Sequence, residues 1–250
     1  MISEGDKLRF KEACLKVLGT DYSDGGIGTQ KEKAMHRILK LYIEPDESLH
    51  EIKYLGYIAD IRNDMGIYEI QTRSVEKLIP KLERFLPKSS VTVVLPVITD
   101  KTVRWVDRKT RELSEPRKSP KHENPFFAMR DIYKLRKFIQ EDNLTFRLIL
   151  IKAEDYRYIR GNNKRDSEQL ERIPTELVGD ITLSTSSDYI ELLPNYMPEE
   201  FTSRALADIL KIPSGYSSEV VGTLKRAGAV YPVGKVGRAF LYKKGIDNKQ

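Results

Sequence analysis

Two runs of alternating apolar residues joined by a turn-like NDMG constrain this chain more than any other feature: 57-YIADIRNDMGIYEIQTRSVEKL-78. Alternation with a period of two marks a strand with one buried face, and a short turn between two such runs makes an antiparallel pair. Yet Asp60 closes the first run, Glu69 sits inside the second, and Gln71 follows two residues on. A buried charge is costly unless it is paired, so these acids need a reason. Residues i and i+2 of a strand share a face. Glu69 and Gln71 therefore project together, and the turn at 62–66 brings Asp60 beside Glu69. Two carboxylates that close repel each other unless a proton or a cation sits between them. A hard divalent cation takes oxygen ligands of this kind.

The flanking sequence supplies layers for that hairpin. A short amphipathic helix spans 7–18, with Phe10, Cys14, Val17 and Leu18 on its apolar stripe. The loop 19-GTDYSDGGIGTQ-30 lacks the preceding strand and the terminal Gly-Lys-Ser/Thr of a phosphate-binding P-loop. In the helix 31-KEKAMHRILKLYI-43, the residues Met35, Ile38, Leu39, Tyr42 and Ile43 recur at helical spacing. Glu32 lies on or beside that inward stripe, where it can supply a third acid. The segment 74–87 is helical, with Pro80 either starting or kinking it. Runs 91–98, 103–107 and 144–153 predict strands, and 126–139 a further helix. Helix, strand, strand, helix, strand indicates an α/β core with a mixed sheet. The polar stretch 154–188 is expected to be an exposed excursion or linker.

Composition excludes several classes. No stretch approaches the ~20 apolar residues of a membrane helix, and the N-terminus has no signal-peptide pattern, so a cytoplasmic protein without membrane contact is expected. The single cysteine, Cys14, precludes an internal disulfide, and three histidines with no cysteine partners make a zinc site improbable. The net charge is +6. Residues 201–250 hold nine Lys/Arg and three Asp/Glu, which is +6, leaving 34 of each sign in the first 200 residues. A concentrated positive tail is suited to neutralising phosphate.

That tail has its own pattern: a helix at 203–212, a PSGY turn, a helix at 217–230, and an alternating 230-VYPVGKVGRAFLY-242 with a glycine at each end of GKVG. It resembles bacterial winged helix-turn-helix domains. The resemblance implies that the second helix enters the major groove of DNA, placing Gly215, Tyr216, Ser217, Ser218 and Thr223 nearest the DNA, with Lys235 and Arg238 of the wing on phosphate or in the minor groove.

Residues 28–98 in turn resemble the PD-(D/E)XK (restriction endonuclease-like) nuclease superfamily, through a helix bearing Glu32, a strand ending in 59-AD-60, a hairpin, and a strand bearing 69-EIQ-71. The leading proline is absent and Gln71 stands where lysine is usual. The whole chain is also similar to a bacterial family that joins such a core to a helix-turn-helix tail. The resemblance implies a restriction endonuclease-like mixed sheet over 1–155, a connecting segment at 156–188 and a winged helix at 189–250. It implies a DNA endonuclease in which Asp60, Glu69 and the Ile70 carbonyl hold Mg²⁺ or Mn²⁺. Gln71 would orient water or phosphate, Glu32 would anchor water, and Arg73, Lys118 and Lys121 would hold phosphate. Many such nucleases pair to cut both strands, so a homodimer follows from the resemblance. On the residues alone, Asp60 as a turn cap, Glu69 paired with Arg73 and Glu32 paired with a nearby lysine stay open. A DNA-binding regulator that keeps the nuclease fold as scaffold stays open too, as does an RNA-processing nuclease.

Overall fold

The computed structural model describes residues 2–21, 33–108, 110, 112–159 and 167–245. Glu32 and most of the glycine-rich loop lie outside these residues. In chain order the elements begin with α1 (Glu4–Asp21), α2 (Ala34–Ile43), β1 (His50–Tyr54), β2 (Tyr57–Asn63), β3 (Gly66–Ile70), α3 (Ile79–Phe85) and β4 (Val91–Val106). There follow β5 (Arg117–Lys118), α4 (Met129–Lys134), β6 (Leu144–Ile159), β7 (Ser167–Leu183) and α5 (Ser186–Leu192). The chain closes with β8 (Phe201–Thr202), α6 (Ser203–Ile209), α7 (Ser217–Arg226), β9 (Val230–Val236) and β10 (Ala239–Lys244). Among the described residues, no helix is long and apolar enough to cross a membrane.

The result is a mixed α/β architecture. One large sheet runs in the order β1-β2-β3-β4-β6-β7, with β5 pairing on β4. Strands β3, β4 and β6 are mutually parallel, while β1–β2, β2–β3 and β6–β7 are antiparallel. Helices α1 and α2 cover one face, where Phe10, Val17, Ile38, Leu39 and Tyr42 pack on Ile61, Ile70, Val94 and Ile149. On the other face, Leu82 and Phe85 of α3 and Met129 and Ile132 of α4 pack on Val91, Val93, Phe146 and Leu148. The central strands are thus apolar on both faces, as parallel strands between two helical layers must be.

Local sequence explains the hairpin and the crossover. Gly66 closes the β2–β3 turn at φ +127, and a Cβ there would sit 2.6 Å from the Ser90 carbonyl. Pro80 falls in the first turn of α3, where its missing N–H leaves no helical bond unmade. The 103–107 strand is not separate: it continues β4, with an irregularity between Ile98 and Asp100. The helix expected at 126–139 holds helical geometry as α4 only over Met129–Lys134.

The linker expected at 156–188 is a correction. Ser167–Leu183 is a strand paired with β6 along its length, from Phe146–Leu183 to Ile159–Ser167. Its polar composition reflects ion pairs across the ladder rather than solvation. Arg172 Nε and Nη2 donate to the Asp155 carboxylate at 2.5 and 2.9 Å, and Asp155 is fully buried.

The C-terminal segment packs on the sheet's helical layer. Thr223 Oγ1 donates to the Met129 carbonyl and Asn124 Nδ2 to the Leu210 carbonyl, both at 2.8 Å. Strands β8, β10 and β9 make a second small sheet. Gly222 lets α7 approach α4 closely, since a Cβ there would lie 2.4 Å from the Tyr133 ring. Gly222→Val should therefore cost about 1–3 kcal/mol through overpacking. Urea unfolding checks this, with Gly215→Val, at an open position, as the reference.

Candidate functional site

The site lies where β2 parts from β3. Their ladder runs from Asn63–Gly66 to Ile61–Tyr68. Two residues further along β3, the Ile70 N–H donates to Asp60 Oδ2 at 2.8 Å in place of a β2 carbonyl. The same carboxylate oxygen lies 3.2 Å from His36 Nε2 on α2. Burial alone would raise the Asp60 pKa, but the His36 hydrogen bond and charge, the Ile70 N–H and nearby Lys81 together hold it below the ordinary value.

Glu69 faces the opposite condition. It is completely buried, and its Oε2 accepts from Lys81 Nζ at 2.7 Å. Its Oε1 is buried with no hydrogen-bond partner. Burial first, and then the Asp60 charge, push its pKa up to about 7 against the pull of Lys81. Two adjacent carboxylates whose pKa values are driven apart, one bearing an orphaned oxygen, make a functional-site candidate on physical grounds.

Can these residues hold a divalent cation? A strand residue's N–H and C=O leave on the same side, so the Ile70 carbonyl faces the gap that its N–H fills with Asp60. Asp60, Glu69 and that carbonyl offer the hard oxygen donors that Mg²⁺ or Mn²⁺ requires, and the unpartnered Glu69 Oε1 fits a missing positive ligand. Among the described residues, no group of three or more His, Cys, Asp and Glu is placed to hold a metal. A third acid would have to be Glu32, outside those residues.

His36 and Lys81 were missed as site residues. For Lys81 the signal was present: it falls three residues after buried Leu78 and one before buried Leu82, so helical spacing puts it beside the inward stripe. His36 could not be found without the packing of α2 on β2.

The other expected positions divide. Gln71, Lys121 and Tyr216 meet in one cleft of about 690 Å³. Arg73 lines a neighbouring hollow of about 240 Å³ with Lys33, Glu171 and Arg172. Lys118 is exposed on β5. Glu69 pairs with Lys81, not Arg73.

For the tail, the structure corrects two positions. Thr223 is wholly buried and bonded to Met129, and Ser217 is also buried, because α7 is held between α4 and its own hairpin. Neither can face DNA. Ser218, Lys235 and Arg238 are exposed. Tyr216 is half-buried, with the Arg130 guanidinium 3.8 Å above its ring.

No solved structure matches this chain. A protein of Treponema pallidum (strain Nichols), described as an "Uncharacterized protein", is 29% identical over 224 residues, covering 87% of each chain. Residues 33–184, which hold His36, Asp60, Glu69, Gln71 and Lys81, match the family described as Domain of unknown function (DUF8091), and the chain belongs to that family.

Proposed function

We propose that this protein is a metal-dependent nuclease acting on DNA, built on a restriction endonuclease-like sheet with a winged-helix-like C-terminal unit. The observation that supports it most is the juxtaposition of Asp60 with the buried, half-satisfied Glu69 at a gap between two strands. In this reading Asp60, Glu69 and the Ile70 carbonyl hold Mg²⁺ or Mn²⁺. When bound, such a cation polarises a phosphodiester and lowers the pKa of its water. Lys81 supplies the cationic charge that Gln71 cannot, from a helix rather than from the strand. Gln71, on the Glu69 face, orients a water or phosphate oxygen through its amide. Lys121 and Arg73 screen phosphate near the site, and Lys235 and Arg238 hold backbone phosphates further along.

Cleavage of plasmid and oligonucleotide DNA with Mg²⁺ or Mn²⁺ tests the reading. The wild type should cut, and Glu69→Ala and Lys81→Met should not. Equal inertness of all three, with DNA binding intact, would sink it in favour of a DNA-binding scaffold. One observation favours that second reading: Lys81 and His36 already engage both carboxylates. A calorimetric measurement separates the two without activity. A cation entering between Asp60 and Glu69 must displace the Glu69 proton, so Mn²⁺ binding at pH 6 should release close to one proton, and Glu69→Gln should release none.

The hairpin makes a separate prediction. Lys235→Ala with Arg238→Ala should lower the salt slope of duplex binding by about 1.8, two phosphate contacts at about 0.9 each. An unchanged slope in a salt titration would move the β9–β10 hairpin out of the DNA interface.

A further inference from the structure

The parallel sheet opens at the end of β3. Gln71 N–H donates to the Val94 carbonyl at 2.9 Å, but the next donor position on β4 is Pro96, which has no N–H. The ladder stops, and the two strands part beyond Gln71. Crevices at the carboxyl ends of parallel strands are where open α/β sheets receive ligands.

Here the opening is roofed by the chain's C-terminal unit. The turn before α7 lies over it, and the cleft of about 690 Å³ is lined by Gln71, Lys101, Lys121, Arg130, Lys211 and Tyr216, among others. The roof is fastened by the Asn124–Leu210 and Thr223–Met129 hydrogen bonds and by the Phe127–Tyr216 ring contact, centroids 5.8 Å apart.

The charge of the cleft is unbalanced. Lys101 lies 3.8 Å from the buried Asp155, so three cationic side chains, Lys121, Arg130 and Lys211, face two acids, Glu123 and Asp131, and Asp131 is paired with Lys134 at 2.8 Å. Among the described residues, no carboxylate pairs with Lys121, Arg130 or Lys211. Arg130 Nε is buried without an acceptor, although a guanidinium donor left unmatched in the interior is costly. Its plane covers Tyr216, so a fixed cationic and aromatic surface stands at the cleft wall. Phosphate oxygens suit that donor, and a base suits the stacked surface.

We propose that this cleft receives a single-stranded segment of DNA, one or two nucleotides adjoining the scissile phosphate. The C-terminal unit then serves as a wall of the substrate cleft, beyond any duplex contact of its hairpin. This rests on the nuclease reading and names its substrate class: strand ends, flaps or frayed sites. The volume is that of a small-molecule pocket, about 300–1,000 Å³, which a duplex cannot enter.

Anisotropy of a short labelled single strand, measured in EDTA with the full chain, tests it. Lys121→Ala with Lys211→Ala should weaken binding at least tenfold and lower the salt slope by about 1.4, two contacts at about 0.7 each for single strands. Tyr216→Ala should weaken it by about tenfold, within the ~1–3 kcal/mol of a base–aromatic stack. Both lysines are exposed, so their replacement leaves the packing intact. Three outcomes would overturn the proposal. The wild type could bind no single strand, or binding could ignore these variants and vanish in Lys235→Ala with Arg238→Ala. A free deoxynucleoside monophosphate could also bind as tightly as the strand, which would make the cleft a nucleotide pocket. Because binding is read without metal, its failure is separate from failure of the cleavage assay.

Discussion

Replacing Glu69 by glutamine is expected to abolish metal-dependent cleavage while making the protein more stable above neutral pH. The loss of activity should be at least about 100-fold. A cation held by one carboxylate fewer supplies several kcal/mol less stabilisation, and each 1.36 kcal/mol is tenfold in rate. The stability effect has the opposite sign and comes from burial. Glu69 titrates at about 7 in the fold against an ordinary 4.5, so between these values the folded chain keeps a proton that the unfolded chain has released. The stability it contributes therefore falls as pH rises from 4.5 to 7 and levels off above. Glutamine has no proton to lose, and Lys81, 22% exposed, can turn to solvent. Glu69→Gln should flatten that decline and exceed the wild type at pH 8 by at most about 3 kcal/mol. Urea unfolding at pH 5 and pH 8 reads it directly. A wild-type stability equal at both would mean that Glu69 is ionised throughout, with Lys81 outweighing burial.

The largest structural loss is expected far from that site, at Arg172. Arg172→Met removes a guanidinium that holds a wholly buried Asp155 by two hydrogen bonds, leaving Lys101 at 3.8 Å as its cationic neighbour. Removing one partner of a buried pair costs about 3–5 kcal/mol, because the remaining charge is uncompensated. Lys101 places the expectation at the lower end. Replacing both residues, as Arg172→Met with Asp155→Leu, should recover most of the loss. A double-mutant cycle in urea checks this. A single-mutant loss under about 0.5 kcal/mol would show that β7 is not locked to β6 through this pair.

The two cases mark where sequence was informative. The hairpin was legible because alternation, a turn and Gly66 all favour the same backbone, and because Asp60 and Glu69 stand out against an apolar pattern. The mixed sheet was legible from the run at 91–98. β7 was not, because its charged residues resemble those of a solvated segment. Only pairing with β6, which sets Arg172 opposite Asp155, turns that polarity into a buried ion pair. β1, with its HEIKY sequence, was missed for the same reason: an edge strand needs few apolar residues.

Sequence alone determined the β2–β3 hairpin and the neighbourhood of Asp60, Glu69 and Gln71, since strand periodicity and turn length act over a short stretch of chain. Tertiary structure decided the rest. It brought His36 and Lys81 to the two acids, buried Thr223 and Ser217, and set Tyr216 and Lys211 over the cleft at Gln71. Each of these depends on which helix face meets which sheet face. Long-range packing fixes that choice, and no periodicity records it.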